Sequence, residues 1–244
     1  MRARATPKAS AEKTDNGWRL GIQHGDSLHY RDAQLDDYSQ LPRHKFPHHS
    51  LTLSLRARVS SISAAGTWGF GLWNDPFGLS LGFGGNPFRL PALPNAVWFF
   101  HASPQNHLSF TDGKPAQGFL AQTFRSPKFH PLLIPAGLAL PFSRRSARKL
   151  ISKVIAEDSS ALSVDVTQWH RYKLQWSPDR VRWHVDDALV FESPVSPNAS
   201  RPLGVIIWID NQYAAFTPEG KIAFGVLEGN DEWLEVENME LNKE

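Results

Sequence analysis

The clearest feature of the sequence is a regular alternation of apolar and polar positions between Trp169 and Phe191. Two segments there carry large apolar side chains at every second position, which is the period of a half-buried β-strand. These side chains are Tyr172, Leu174 and Trp176 in the first segment, and Val181, Trp183 and Val185 in the second. Residues 177–179 and 186–187 supply turn chemistry around the second segment. The pattern therefore predicts a three-stranded β-meander whose third strand covers 188–191.

Similar alternation predicts strands along most of the remaining chain. The predicted ranges are 17–22, 50–60, 66–73, 96–101, 108–111, 119–124, 204–210, 222–226 and 232–241, the last with a bulge. The faces predicted for the strand at 204–210 are Val205, Ile207 and Ile209 toward the core, and Ile206, Trp208 and Asp210 away from it. Gly69 and Gly71 share one face of their strand, which indicates either close backbone approach by another group or packing beneath an aromatic ring.

Three segments depart from this rhythm. Residues 1–16 are basic and rich in small side chains, and we expect a disordered tail before a single domain at 17–244. Residues 126–161 are predicted to be an insertion that ends in a basic amphipathic helix near 143–156. The segment 74–95 is rich in Gly, Pro and Phe, and we interpret it as a long loop acting as a lid or cleft wall.

Composition narrows the possible functions. A net charge of +2 over 244 residues is too small to indicate nucleic acid or an anionic membrane as partner. No apolar run reaches the roughly 20 residues of a membrane span, and no signal-peptide pattern is present. The sequence contains no cysteine, which fits a reducing compartment and predicts a cytoplasmic location. His44, His48 and His49 lack a further ligand at metal-site spacing, so neither a metal nor a cofactor is predicted.

About a dozen short strands predict an all-β, antiparallel sandwich with one short inserted helix and long loops. The order of motifs also resembles a known family. Residues 169–186 resemble the C-terminal hairpin of the family-sixteen glycoside hydrolases, of the laminarinase and lichenase type, and Gly66-Thr67-Trp68 resembles their Gly-Thr-Trp strand. Residues 201–209 and 232–241 lie where the last strands of that family would fall. The resemblance implies a concanavalin A-like jelly roll with a sugar-binding cleft on its concave sheet.

The sequence departs from this family at the catalytic strand. Active members carry Glu-x-Asp-x-Glu there, and their retaining reaction needs two carboxyl groups about 5–5.5 Å apart. The corresponding positions are Ala96 for the nucleophile, Trp98 for the middle Asp, and Phe100 or His101 for the acid/base. No Asp or Glu lies between Asp75 and Asp112. The two-glutamate mechanism is therefore predicted to be absent, and two carboxylates facing each other elsewhere in the cleft would contradict a purely binding role.

The first hypothesis is a module that binds a carbohydrate or a similar small molecule. Sugars present an apolar ring face and a rim of hydroxyl groups, which aromatic rings and short polar side chains can match. The candidate ligand-binding residues are Trp73, Trp98, Phe100, His101, Trp208, Asp210, Asn211 and Tyr213.

Two alternatives stay open. In the second hypothesis the chain is an enzyme with relocated catalytic groups, where His101 is a general base and Asp210 orients it or acts as an acid. In the third, residues 131–155 contact a lipid or another protein through an apolar loop and the basic helix.

Overall fold

The computed structural model of the chain describes residues 1–76, 89, 92–128, 131–133, 138 and 142–243. Within these residues the backbone forms sixteen β-strands and the helix α1, Arg144–Ile151. In chain order the strands are β1 (Arg2–Ala5), β2 (Ala9–Lys13), β3 (Gly17–Ile22), β4 (Asp32–Asp36), β5 (Leu51–Val59), β6 (Thr67–Trp73), β7 (Ala96–Ala102), β8 (Gly118–Arg125), β9 (Ala156–Ala161), β10 (His170–Trp176), β11 (Val181–Val185), β12 (Ala188–Ser193), β13 (Gly204–Asp210), β14 (Gln212–Phe216), β15 (Ile222–Val226) and β16 (Glu232–Asn242). The predicted all-β class is confirmed.

Fourteen of these strands form two seven-stranded antiparallel sheets. Sheet I has the order β1-β4-β13-β6-β7-β8-β9, and sheet II has the order β12-β11-β10-β5-β16-β3-β2. The predicted meander is β10, β11 and β12 at one edge of sheet II. The predicted bulge in the last strand lies between Glu237 and Glu240 of β16. The sheets form a jelly-roll sandwich, and β14 pairs with β15 as a separate hairpin after β13.

A hydrophobic core fills the space between the two sheets. The alternating apolar side chains of β5, β10 and β11 all face it, as their period of two predicts. The inward face of β13 is also as predicted, with Val205, Ile207 and Ile209 almost fully buried. Removing this apolar surface from water is the main favourable term in folding such a sandwich.

Sheet I carries a second apolar layer on its other face. Because successive side chains of a strand alternate between faces, β7, β8 and β13 contribute side chains to both layers. The buried residues of this outer layer are Tyr38, Phe46, Ala96, Trp98, Phe100, Ala102, Leu120, Phe124, Ile155, Ile206 and Trp208. The inner strands of sheet I are thus covered on both sides.

The prediction of a disordered tail over residues 1–16 is wrong. Arg2–Ala5 pairs with β4 at the edge of sheet I, and Ala9–Lys13 pairs with β3 at the edge of sheet II. All four residues of β1 are exposed. Backbone hydrogen bonds to the neighbouring strand keep the segment ordered. Because these bonds do not depend on apolar side chains, the segment lacks the apolar pattern on which the prediction relied.

The expected hairpin partner at 108–111 is also wrong. Strand β7 is already paired with β6 on one side and β8 on the other, so neither of its edges is free. The segment instead loops over sheet I, where the backbone N–H groups of Phe110 and Thr111 donate to Glu157 Oε2 at 2.7 and 3.1 Å.

The segment 126–161 contains more sheet than predicted. Its last six residues form β9, which pairs with β8 at the edge of sheet I. Helix α1 ends at Ile151, five residues before the predicted end. Ala147 and Arg148 of α1 are buried, so the helix packs on its own sandwich.

Other expectations fall partly outside the described residues. Most of the loop at 74–95 and most of the apolar segment before α1 lie outside the described residues. In the described part, Phe142 is 91% exposed. No described helix has both the length and the apolar character needed to cross a membrane.

Candidate functional site

The outer face of sheet I carries an open cavity of about 100 Å³. Strands β4, β6, β7 and β13 form its floor, and the segment that enters β14 forms one side. Its lining combines aromatic rings with carboxyl, amide and guanidinium groups.

Four aromatic side chains form one wall of the cavity, and we call them the aromatic wall: Trp73, Trp98, Phe100 and Trp208. Trp208 contacts the other three. Its ring lies 4° from parallel to Trp73 with centroids 6.4 Å apart, and its centroid is 5.8 Å from those of both Trp98 and Phe100. Trp98 and Phe100 are almost fully buried, whereas Trp73 is partly exposed at the rim.

Two glycines of β6 make room for this wall. A Cβ at Gly69 would lie 2.4 Å from Phe99 O and 2.8 Å from Trp208 Cη2, and a Cβ at Gly71 would lie 2.3 Å from Val97 O and 2.6 Å from Trp98 Cβ. All four distances are too short for real side chains. Gly69 therefore lies close to the backbone of β7 and beneath the Trp208 ring, whereas Gly71 is explained by the close approach of the β7 backbone.

Replacing Gly69 by alanine should force both the β7 backbone at Phe99 and the Trp208 ring to shift. Overpacking of this kind costs about 1–3 kcal/mol, so urea unfolding should show a loss of that order in the free energy of unfolding. The control is Gly21→Ala on β3, where the new Cβ would lie 3.3 Å from Ser10 Oγ and the neighbour can move. Equal stability losses in the two variants would contradict the prediction.

Two carboxyl groups lie next to each other on the polar side of the cavity. Asp32 on β4 and Asp210 on β13 are directly opposite each other in the register of the two strands. Asp210 Oδ1 accepts hydrogen bonds from Thr67 N at 3.2 Å, Thr67 Oγ1 at 2.8 Å and Gln212 N at 3.2 Å. The Tyr30 hydroxyl donates to Asp210 Oδ2 at 3.5 Å.

Both carboxyl groups favour the protonated form because they are poorly solvated. Burial raises the pKa of Asp210 to about 7, against the opposing effect of its hydrogen bonds from Thr67. Burial, followed by the negative charge of Asp210, raises the pKa of Asp32 well above its ordinary value. Burial and both carboxylates also raise the pKa of Tyr30. The pair can thus hold a proton at neutral pH, which an exposed aspartate does not.

A hydrogen-bonded chain connects the aromatic wall to this pair. Trp208 Nε1 donates to Thr67 Oγ1 at 2.9 Å, and Thr67 Oγ1 in turn donates to Asp210. Gln212 also lines the cavity, and its side-chain Nε2 is buried without a hydrogen-bond partner among the described residues. An amide donor of this kind is satisfied when a ligand oxygen reaches it.

Six of the eight predicted ligand-binding residues line the cavity: Trp73, Trp98, Phe100, Trp208, Asp210 and Tyr213. His101 does not. It follows Phe100 in β7 and therefore faces the core between the sheets, where it is 4% exposed and stacks on Trp68 with centroids 5.4 Å apart. Burial lowers the pKa of His101. The hypothesis that His101 and Asp210 act together is wrong, because the two side chains lie on opposite faces of sheet I.

Asn211 is a structural residue and does not line the cavity. It is fully buried; its Oδ1 accepts from Arg31 N at 2.8 Å, and its Nδ2 donates to His29 O at 3.1 Å and Leu227 O at 2.9 Å. These bonds fix the chain between β13 and β14. Asp210 ends β13 and Gln212 begins β14, so Asn211 is the single residue between the two strands.

The N-terminal region contributes a polar side of the cavity that the sequence pattern did not predict. The missed lining residues there are Arg4, Tyr30, Asp32 and Gln34. The sequence does contain the alternation of a strand here, because Ala33 and Leu35 alternate with polar residues and face the core.

The three loop histidines do not converge: His48 Nε2 lies 2.7 Å from Asp37 Oδ2, and His49 Nδ1 lies 2.7 Å from Ala199 O.

No protein-family model matches the chain, and no curated protein matches it in sequence. In fold it is similar to a sialidase, with a TM-score of 0.48 at 7% identity; the match covers 99% of this chain but 16% of the sialidase. It is also similar to a β-glucanase from Bacillus licheniformis (TM-score 0.46, 9% identity, 96% of this chain and 82% of that one). A legume lectin-like domain from Entamoeba histolytica gives a TM-score of 0.47 at 9% identity, covering 99% of this chain and 90% of that one. With TM-scores below 0.5, these similarities leave the function to be argued from the cavity itself.

Proposed function

We propose that the cavity on the outer face of sheet I binds a saccharide. The observation that carries the proposal is the combination of the aromatic wall and the carboxyl pair in one cavity. A pyranose ring has an apolar face of C–H groups that packs on an indole, and its hydroxyl groups lie around the edge of the same ring. Trp73 and Trp208 supply the flat surface, and Asp32, Asp210 and Gln212 supply hydrogen-bonding partners beside it.

The polar groups suit hydroxyl groups better than a strongly charged ligand. A carboxyl group that keeps its proton can both donate and accept a hydrogen bond, as a sugar hydroxyl does. The buried guanidinium of Arg89 is already engaged: it forms an ion pair with Asp75 and donates from Nη2 to Tyr38 O at 3.0 Å and Ser39 O at 2.9 Å. The Arg89 guanidinium therefore shapes the cavity wall, and the other polar side chains of the cavity contact the ligand.

A glycan array followed by calorimetric titration of the best-retained glycan tests the proposal. Trp73→Ala should weaken binding at least about tenfold, equivalent to about 1.4 kcal/mol, because the sugar loses a stacking surface at the rim. The matched control is Trp169→Ala on the outer side of sheet II, where the ring packs under Arg56 and Arg58. Absence of any retained glycan, or equal affinity of the Trp73 and control variants, would refute the proposal.

A further inference from the structure

The carboxyl groups of Asp32 and Asp210 have no positively charged partner in contact with them. The two aspartates are opposite each other in the register of β4 and β13, and both line the cavity. Among the described residues, no arginine, lysine or histidine forms an ion pair with either one. Arg4, on the exposed strand β1, acts on Asp32 only from beyond ion-pair distance. A sugar without charge leaves the ionised pair unbalanced, whereas a cation on the ligand balances it.

The oxygen atoms of the pair are also open to a ligand. In the part of the chain that the structure describes, neither side-chain oxygen of Asp32 accepts a hydrogen bond. Asp210 is 7% exposed, and its Oδ2 accepts there only the 3.5 Å bond from the Tyr30 hydroxyl. An ammonium group has three donors and no acceptor, whereas a hydroxyl group has one donor. The ammonium group is therefore the better match for these carboxylate oxygens.

The aromatic wall lies beside the pair. Trp208 and Asp210 are two positions apart on β13, so they share one face of the strand about 7 Å apart. Thr67 Oγ1 connects them, since it accepts from Trp208 Nε1 at 2.9 Å and donates to Asp210 Oδ1 at 2.8 Å. The face of an indole ring attracts cations, and surrounding aromatic rings are a common means of binding ammonium groups. The cavity thus combines negative charge and aromatic rings in one place.

The remaining polar lining favours a ligand that also carries hydroxyl groups. Asp75 is already paired with Arg89, so it adds no free negative charge. Gln212 Nε2 is a buried donor without a partner among the described residues, and a hydroxyl oxygen can accept from it. One ammonium group on a hydroxylated ring therefore fits this cavity better than a simple alkylamine does.

We propose that the cavity selects an amino sugar, a saccharide with a protonated primary amine, and that Asp32 and Asp210 bind its ammonium group. This inference rests on the proposed function and adds the class of saccharide. The sugar ring packs on the aromatic wall, and the amine N–H groups donate to Asp32 and to Asp210 Oδ2. Acetylation of the amine removes its charge and two of its three donors, so the N-acetyl sugar loses these contacts.

Calorimetric titration of the full chain with matched sugars tests this selection. The probes are the methyl glycosides of glucosamine, galactosamine and mannosamine, and the chitosan tetramer. Each probe is compared at pH 7 with its N-acetylated counterpart and with the parent sugar that carries a hydroxyl group instead. For the sugar that binds best, the amino form should bind at least about tenfold more tightly than both counterparts, because its hydrogen bonds are charge-assisted.

Two variants test the role of the carboxyl pair. Asp32→Asn and Asp210→Asn should each bring the affinity for the amino form close to that for the N-acetyl form, while binding of the N-acetyl form persists. The control is Asp187→Asn, in an exposed turn of sheet II where φ is 67° and asparagine is well tolerated; it should keep the full preference. Circular dichroism verifies that all three variants are folded.

Proton release gives a second readout. At about pH 6 a primary amine is charged, whereas burial raises the pKa of both carboxyl groups. A positive charge beside a carboxyl group favours its ionised form, so binding of the amino form should release up to about one proton, and binding of the N-acetyl form should release none. Titration in buffers of different ionisation enthalpy measures this release. The other charged or titratable groups facing the pair are Arg4 from β1, Tyr30 before β4 and Asp36 within β4.

The outcomes are distinguishable. Equal or tighter binding of the N-acetyl or parent sugars overturns the inference and leaves saccharide binding intact. A preference that persists in both asparagine variants, or binding of the amino form without proton release, also overturns it. Cyclohexylamine has a ring and an ammonium group but no hydroxyl groups, and binding as tight as that of the amino sugar would overturn selection of a saccharide. If no sugar in any form binds, the proposed function and the inference are both refuted.

Discussion

The wild-type protein should lose about 4 kcal/mol in free energy of unfolding between pH 4 and pH 7, and Asp210→Asn should abolish this loss. Asp210 has a pKa of about 7 in the fold against an ordinary value of 3.8. Below pH 4 the carboxyl is protonated in both folded and unfolded chains. Between these values the folded state holds more protons, so stability falls as pH rises until Asp210 ionises in the fold. At about 1.36 kcal/mol per pH unit, the difference between the two pKa values corresponds to a loss of about 4 kcal/mol in the free energy of unfolding.

The asparagine variant isolates this effect because it keeps the shape of the side chain. Its carbonyl oxygen can still accept from Thr67 and Gln212, while the titrating group is gone. Asp32 also loses a negative neighbour, so its pKa should fall toward the ordinary value, which acts in the same direction. The difference in free energy of unfolding, variant minus wild type, should therefore increase from pH 4 to pH 7.

Urea unfolding at several pH values measures this difference directly. The control is Asp187→Asn, which removes an exposed carboxyl group that does not line the cavity. A difference for Asp210→Asn that does not change with pH would show that Asp210 ionises in the fold as it does in the unfolded chain. The raised pKa of Asp210 would then be untenable.

The parts of the fold that the sequence predicts well are strands with one apolar face. Strand β5 and the meander have strict period-two patterns, since one face is buried and the other solvated. Strand β13 is apolar on both faces, yet its β-branched face was correctly assigned to the core. In each case burial alone determines the pattern.

The cavity is harder to predict because its carboxyl groups come from distant parts of the chain. Strand β4 has only two inward apolar residues, and its polar face forms part of the cavity, so the alternation that marks it as a strand is short. Its role depends on pairing with β13, which no local pattern encodes. Phe100 and His101 are consecutive in one strand and must face opposite sides, so the pattern of β7 itself excludes their sharing one ligand site.

Arg148→Met should destabilise the protein by about 3 kcal/mol or more. Arg148 of α1 is 3% exposed, and its guanidinium donates to three backbone carbonyls and one carboxylate. Its acceptors are Phe216 O at 2.9 Å, Phe110 O at 2.6 Å, Ser109 O at 2.9 Å and Asp112 Oδ1 at 2.9 Å. Methionine fills similar space but leaves these acceptors without donors. Each buried polar group left unsatisfied costs about 1–3 kcal/mol.

The consequence should extend to the cavity, because Arg148 connects α1 to the loop before β8 and to the end of β14. The control is Lys149→Met, which is exposed on the same helix and should change the free energy of unfolding by less than about 0.5 kcal/mol. Urea unfolding gives both values, and hydrogen exchange at Phe110 and Phe216 locates the loosening. A loss in Arg148→Met no larger than in the control would mean that α1 is held by its apolar contacts, with the buried guanidinium making no net contribution.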